Sequence, residues 1–80
     1  MKNILLEESG FTQTEFHKFT SAMARELLEN SHKGGSWRKD SVDSLVLRIC
    51  EELGEFLTTK DPNELPDVAN MCLMVYLRMM

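Results

Sequence analysis

The chain has 80 residues and a formal net charge of −4, enough for one domain that buries only roughly 60% of its unfolded surface. The acidic balance counts against bulk binding to nucleic acid or an anionic membrane and leaves open a local basic pocket. Its two cysteines, Cys50 and Cys72, lack zinc-ligand spacing. Both fall in helical segments and read as reduced, buried thiols of a cytoplasmic protein, and a fold this small without staples is expected to oligomerise to complete its core.

Met1–Gly10 is a lead-in whose Ile4, Leu5 and Leu6 are expected to pack; the apolar run of Met1–Leu6 is too short for a signal peptide. The first helix starts at a capping box formed by Thr12 and Glu15, with Phe11 and Phe16 at the two positions of a hydrophobic staple. Phe16, Phe19, Met23, Leu27 and Leu28 then make a stripe at helical spacing, which predicts an end near Asn30 or Ser31, before Gly34-Gly35. A loop follows, carrying Lys33, Trp37, Arg38 and Lys39. Asp40 or Ser41 caps a second helix, whose apolar stripe is Val42, Leu45, Val46, Ile49, Leu53, Phe56 and Leu57. After a break at Thr58–Pro62, a third helix starts at Pro62 or Pro66. Its later part is apolar on nearly every side, which predicts burial all round, yet Val68–Met80 is too short to span a bilayer. The connections are short, so the fold class expected is all-α: a small antiparallel bundle of about three main helices, one domain over residues 1–80.

Glu52 and Glu55 stand three apart in the second helix, and Glu64 and Asp67 three apart at the start of the third. Residues at that spacing share a helix face. If the helices fold back on each other, four carboxylates meet, and they repel unless a hard cation lies between them. The plain alternative is a solvated acidic face, with Arg48 paired to Glu51 and Glu52, Glu64 in a capping box behind Asp61, and Asp67 as a first-turn acid. Gly54 costs about 1 kcal/mol inside a helix, which is explicable where a ligand or another backbone must come close. Asp67 and Asn70 head a very apolar helix, where polar groups need partners.

The ordered set Glu52-x-x-Glu55, Glu64-x-x-Asp67 and Asn70 resembles the signature of MazG-like all-α nucleoside triphosphate pyrophosphohydrolases, and Ser31–Trp37 resembles a loop of their short members. The likeness covers roughly residues 31 to 80. It implies antiparallel helices paired into homodimers or homotetramers. It also implies Mg²⁺-dependent hydrolysis of a nucleoside triphosphate to the monophosphate and pyrophosphate, with Glu52, Glu55, Glu64 and Asp67 as metal ligands and Mn²⁺ as a substitute. Within that reading Glu52 and Glu55 are the catalytic acids, Glu55 accepting a proton. The sequence departs from the pattern in the short Glu55–Glu64 spacing and in Pro66, which leaves the aim of Glu64 open.

Lys33, Arg38, Lys39 and Arg48 are the basic candidates for the triphosphate. Trp37 is either a loop anchor against the core or a stacking face for a base, and Asn70 either a base- or sugar-binding amide or a buried amide satisfied by a neighbouring helix. His17 and His32 carry no assigned role. The alternative function is a non-catalytic helical interaction module, a degenerate member of the same family.

Overall fold

The computed structural model describes residues 8–31 and 34–80. The expectations for Ile4, Leu5, Leu6, His32 and Lys33 lie outside the described residues. Three α-helices form the molecule: α1 (Gln13–Glu29), α2 (Val42–Thr59) and α3 (Leu65–Met79), with 3-10 turns at Ser36–Arg38 and Pro62–Glu64 and no strand among the described residues. No helix among them is long and apolar enough to cross a membrane.

Local chemistry sets the boundaries. The Glu15 N–H donates to Thr12 Oγ1 at 3.0 Å, and the Thr12 N–H donates to Glu15 Oε1 at 2.9 Å, so the capping box is complete. Asn30 closes α1, its Nδ2 donating to the Glu26 carbonyl at 2.9 Å. Gly34 turns the chain with φ +59°, where a side chain would be strained. Ser41, not Asp40, caps α2, accepting from the Ser44 N–H at 3.0 Å. Lys60 ends α2 in the left-handed conformation, φ 56°.

The start of the third helix combines both prolines. Asp61 accepts from the Asn63 N–H and opens the 3-10 turn from Pro62; α3 then begins at Leu65 with Pro66 in its first turn. There a proline sacrifices no intrahelical bond, so the clash that an earlier helix start would create never arises.

α3 lies between the other two helices, packing on α2 along one side and α1 along the other, while α1 and α2 touch each other little. Arg78, near the end of α3, donates to the carbonyls of Trp37 (2.9 Å) and Asp40. The end of α3 therefore sits beside the start of α2, and the two run antiparallel. The apolar core among the described residues is Leu45, Val68 and Met71, with Asn70 the one buried polar residue.

Two expectations are corrected. The later part of α3 is not buried all round: Leu73, Tyr76, Leu77, Met79 and Met80 are exposed. Cys50 and Cys72 are free thiols but not buried ones. The reason is common to both. A layer of three helices with α3 in the middle covers α3 only at its edges, and none of the described residues lies over the outward side of the α2–α3 pair.

Candidate functional site

Glu52 lies at the edge of the α2 stripe that faces α3, partly shielded, while Glu51 and Glu55 are exposed. Asp67 enters from the first turn of α3. Burial, then hydrogen bonding with Asp67, then the charges of Glu55 and Asp67 together push the Glu52 carboxyl from its usual 4.5 up to about 7. Three acids from two helices thus crowd one groove, and the crowding is felt as a resisted ionisation.

Glu64 behaves differently. Its Oε1 accepts from Thr59 Oγ1 at 2.8 Å, and it is not among the charges acting on Glu52. The 3-10 turn that absorbs Pro62 points this carboxylate back at the end of α2, so it joins neither the groove nor a capping box. Among the described residues no group of three or more acids, histidines or cysteines is arranged to enclose a metal ion by itself. The expected four-carboxylate set is therefore reduced to Glu52 and Asp67 with Glu55 beside them. That donor set fits Mg²⁺, which keeps several waters and commonly takes one or two carboxylates together with substrate phosphates.

Beside the groove lies a cleft of about 120 Å³, lined among others by Asn30, Trp37, Arg48, Asp67, Asn70 and Met71. Asp67 belongs to both the acid group and the cleft wall, so the two are continuous. Trp37 is half-buried in the wall, with the Arg38 guanidinium 4.4 Å from its ring centroid. Arg48 stands at the rim and pairs with Asp40 at 3.5 Å, not with Glu51 or Glu52. Asn70 is 2% exposed; its Nδ2 donates to the Met23 carbonyl at 2.9 Å, and its Oδ1 has no hydrogen-bond partner. The bond to Met23 is the neighbouring-helix contact of a buried amide; the Oδ1 is left as an idle acceptor.

Gly54 approaches nothing: a Cβ built there meets no atom within 4 Å. Among the described residues no side chain or backbone comes close enough to require the glycine.

Sequence reasoning gave Arg78 no role. The available signal was the lone charge itself, since a cation among apolar neighbours needs acceptors; its carbonyl partners hold the Trp37 loop against α3. Glu26 and Asn30, which also border the cleft, read from the sequence only as the end of a helix.

Comparison of this chain with known protein families, with curated proteins and with solved structures gave no match.

Proposed function

We propose that the groove and cleft bind a nucleoside triphosphate with Mg²⁺, Mn²⁺ substituting, and hydrolyse it to the monophosphate and pyrophosphate, as the MazG-like enzymes that the motifs resemble do. The observation that carries the reading is the convergence of Glu52, Asp67 and Glu55 beside a cleft that shares Asp67. Acids that resist ionising together are stabilised by a cation, and a phosphate chain supplies the ligands that the protein lacks.

In this reading Glu52 and Asp67 hold the cation, and Glu64 stays with Thr59. A cation held there would neutralise charge on the phosphate oxygens and acidify a bound water. A water oxygen attacks the α-phosphorus, the bond from that phosphorus to the α–β bridging oxygen breaks, and pyrophosphate departs. Glu55, exposed beside the pair, takes the proton from the attacking water. Arg48 exchanges Asp40 for a phosphate oxygen at the rim, with Lys33 as a further cation for the chain. Trp37 offers the base a face, and the idle Oδ1 of Asn70 accepts from a base N–H or a sugar hydroxyl. The reading includes a cytoplasmic setting and a homo-oligomer as the working form.

The test is pyrophosphate release over the eight common nucleotides, with and without Mg²⁺, beside Glu52→Gln. Metal-dependent release from at least one nucleotide, abolished by Glu52→Gln, is expected; silence across the panel overturns the assignment. The alternative, a non-catalytic interaction module, draws on the exposed apolar side of α2 and α3. It requires that Mg²⁺ and Mn²⁺ fail to bind and that Glu52→Gln and Asp67→Asn alter stability alone.

A further inference from the structure

We propose that a second copy of this chain docks on the outer side of the α2–α3 pair, with the two α2 helices antiparallel about a two-fold axis that passes between Cys50 and Leu53. This holds whether or not the groove acids bind a cation.

The carrying feature is the part of the α2 apolar stripe that α3 leaves uncovered: Val46, Leu53 and Leu57, joined by Cys50. Val46, Cys50, Leu53 and Leu57 follow at steps of four, three and four, the spacing of a helix-pairing seam. All four are exposed, Leu57 at 68%. The pattern reads the same from either end. An antiparallel second copy therefore sets Val46 against Leu57 and Cys50 against Leu53, and by symmetry the reverse, which is the self-complementarity of an isologous interface. Charge obeys the same symmetry. Asp43 and Lys60 stand three residues outside the two ends of the stripe, so the acid of each copy falls beside the lysine of the other. Among the described residues the one ion pair is Arg48 with Asp40, and Lys60 has no ion-pair partner among them.

α3 extends the surface. Glu52 and Asp67 meet on one side of the α2–α3 pair, and on the opposite side α3 presents Cys72, Leu73, Tyr76 and Met80, with Tyr76 61% and Met80 80% exposed and no charged residue among them. Taking on the order of 200 Å² for a large side chain fully exposed, the exposed fractions of these α2 and α3 residues amount to roughly 800 Å² of apolar surface per copy. A standard interface needs about 800 Å² from each partner. Gly54 adjoins Cys50 and Leu57 on α2, and its missing side chain serves nothing among the described residues; beside a neighbouring helix it permits closer approach. The acids lie on the far side, so pairing leaves the groove open.

Sedimentation of the full chain under reducing conditions reads the assembly. The expected mass is an even multiple of 9.2 kDa, and Leu53→Glu weakens pairing at least about 100-fold. A monomer at 100 µM, or a dimer indifferent to Leu53→Glu, overturns the proposal. Because Leu53→Glu risks failing to fold, charge reversal tests the register independently. Asp43→Lys alone weakens the dimer by about three- to tenfold, and the Asp43→Lys, Lys60→Asp double variant restores it, with helix content checked by circular dichroism. A dimer that Asp43→Lys leaves unchanged, or that the double variant fails to rescue, overturns the antiparallel register. In a Leu53→Cys, Cys72→Ser variant, mild oxidation joins Cys50 to the introduced thiol of the other copy; peptide mapping that finds only Cys50–Cys50 pairs also rejects that register.

Discussion

Replacing Glu52 by glutamine makes the metal-free protein more stable at alkaline pH and leaves it unchanged in acid. The folded-state carboxyl titrates near 7 instead of 4.5, because burial, Asp67 and Glu55 oppose its charge. Below pH 4.5 Glu52 is protonated both folded and unfolded, and its contribution to stability is fully present. As pH rises from 4.5 through 7 the unfolded chain gives up the proton more readily, and that contribution is lost. At about 1.36 kcal/mol per pH unit the shift from 4.5 to about 7 corresponds to at most about 3.4 kcal/mol; solvent at the groove edge screens this to about 1–2 kcal/mol. Glutamine carries no charge to resist, so Glu52→Gln gains that amount above pH 7. For a domain of this size the gain is about 5–10 °C in melting temperature. Thermal melts followed by circular dichroism between pH 4 and 8, in the presence of a chelator, measure it. A gain that is the same at pH 4 and pH 8, or a loss at pH 8, refutes the crowded-acid account. Adding Mg²⁺ at pH 8 extends the test: the wild type gains stability with the logarithm of Mg²⁺ concentration above its Kd, and Glu52→Gln gains none.

Asp67→Asn abolishes the Mg²⁺-induced rise in melting temperature, whereas Glu64→Gln preserves it, because Thr59 already engages Glu64; equal losses in the two variants contradict the division made here. Asn70→Ala removes the bond to the Met23 carbonyl from a buried position and lowers stability by about 1–3 kcal/mol in urea unfolding; a change below about 0.5 kcal/mol shows that the amide does not tie α3 to α1. Arg78→Lys weakens the hold on the Trp37 and Asp40 carbonyls, since an ammonium is not a planar fork, and the tryptophan fluorescence moves to the red as Trp37 gains water. An unshifted emission spectrum means that the loop is held by other contacts.

Signals confined to three or four neighbouring residues were legible in the sequence. Thr12 with Glu15, Ser41 and the Gly34 turn each act through bonds or dihedrals that no distant residue decides, and each stands where the sequence puts it. The inward lean of Glu52 followed from helical phase alone. Glu64 did not, because two prolines four residues apart allow more than one helix start, and the 3-10 turn actually taken re-aims the carboxylate. Arg78 was illegible for another reason: its partners are carbonyls about forty positions upstream, and carbonyls leave no mark in a sequence. The thiols were misjudged because an apolar pattern says that a face will be covered and not which chain covers it.

The link from Lys60 to Glu64 acts as a phase-setter for everything beyond it. One residue inserted there turns α3 by about 100°. Asp67 swings out of the groove, the Asn70 amide loses the Met23 carbonyl and Arg78 leaves its loop, all in one step. An inserted residue in the α2–α3 hairpin is therefore expected to cost the groove, the α1 tie and the loop anchor together, a coupling that the stretch between α1 and α2 does not impose.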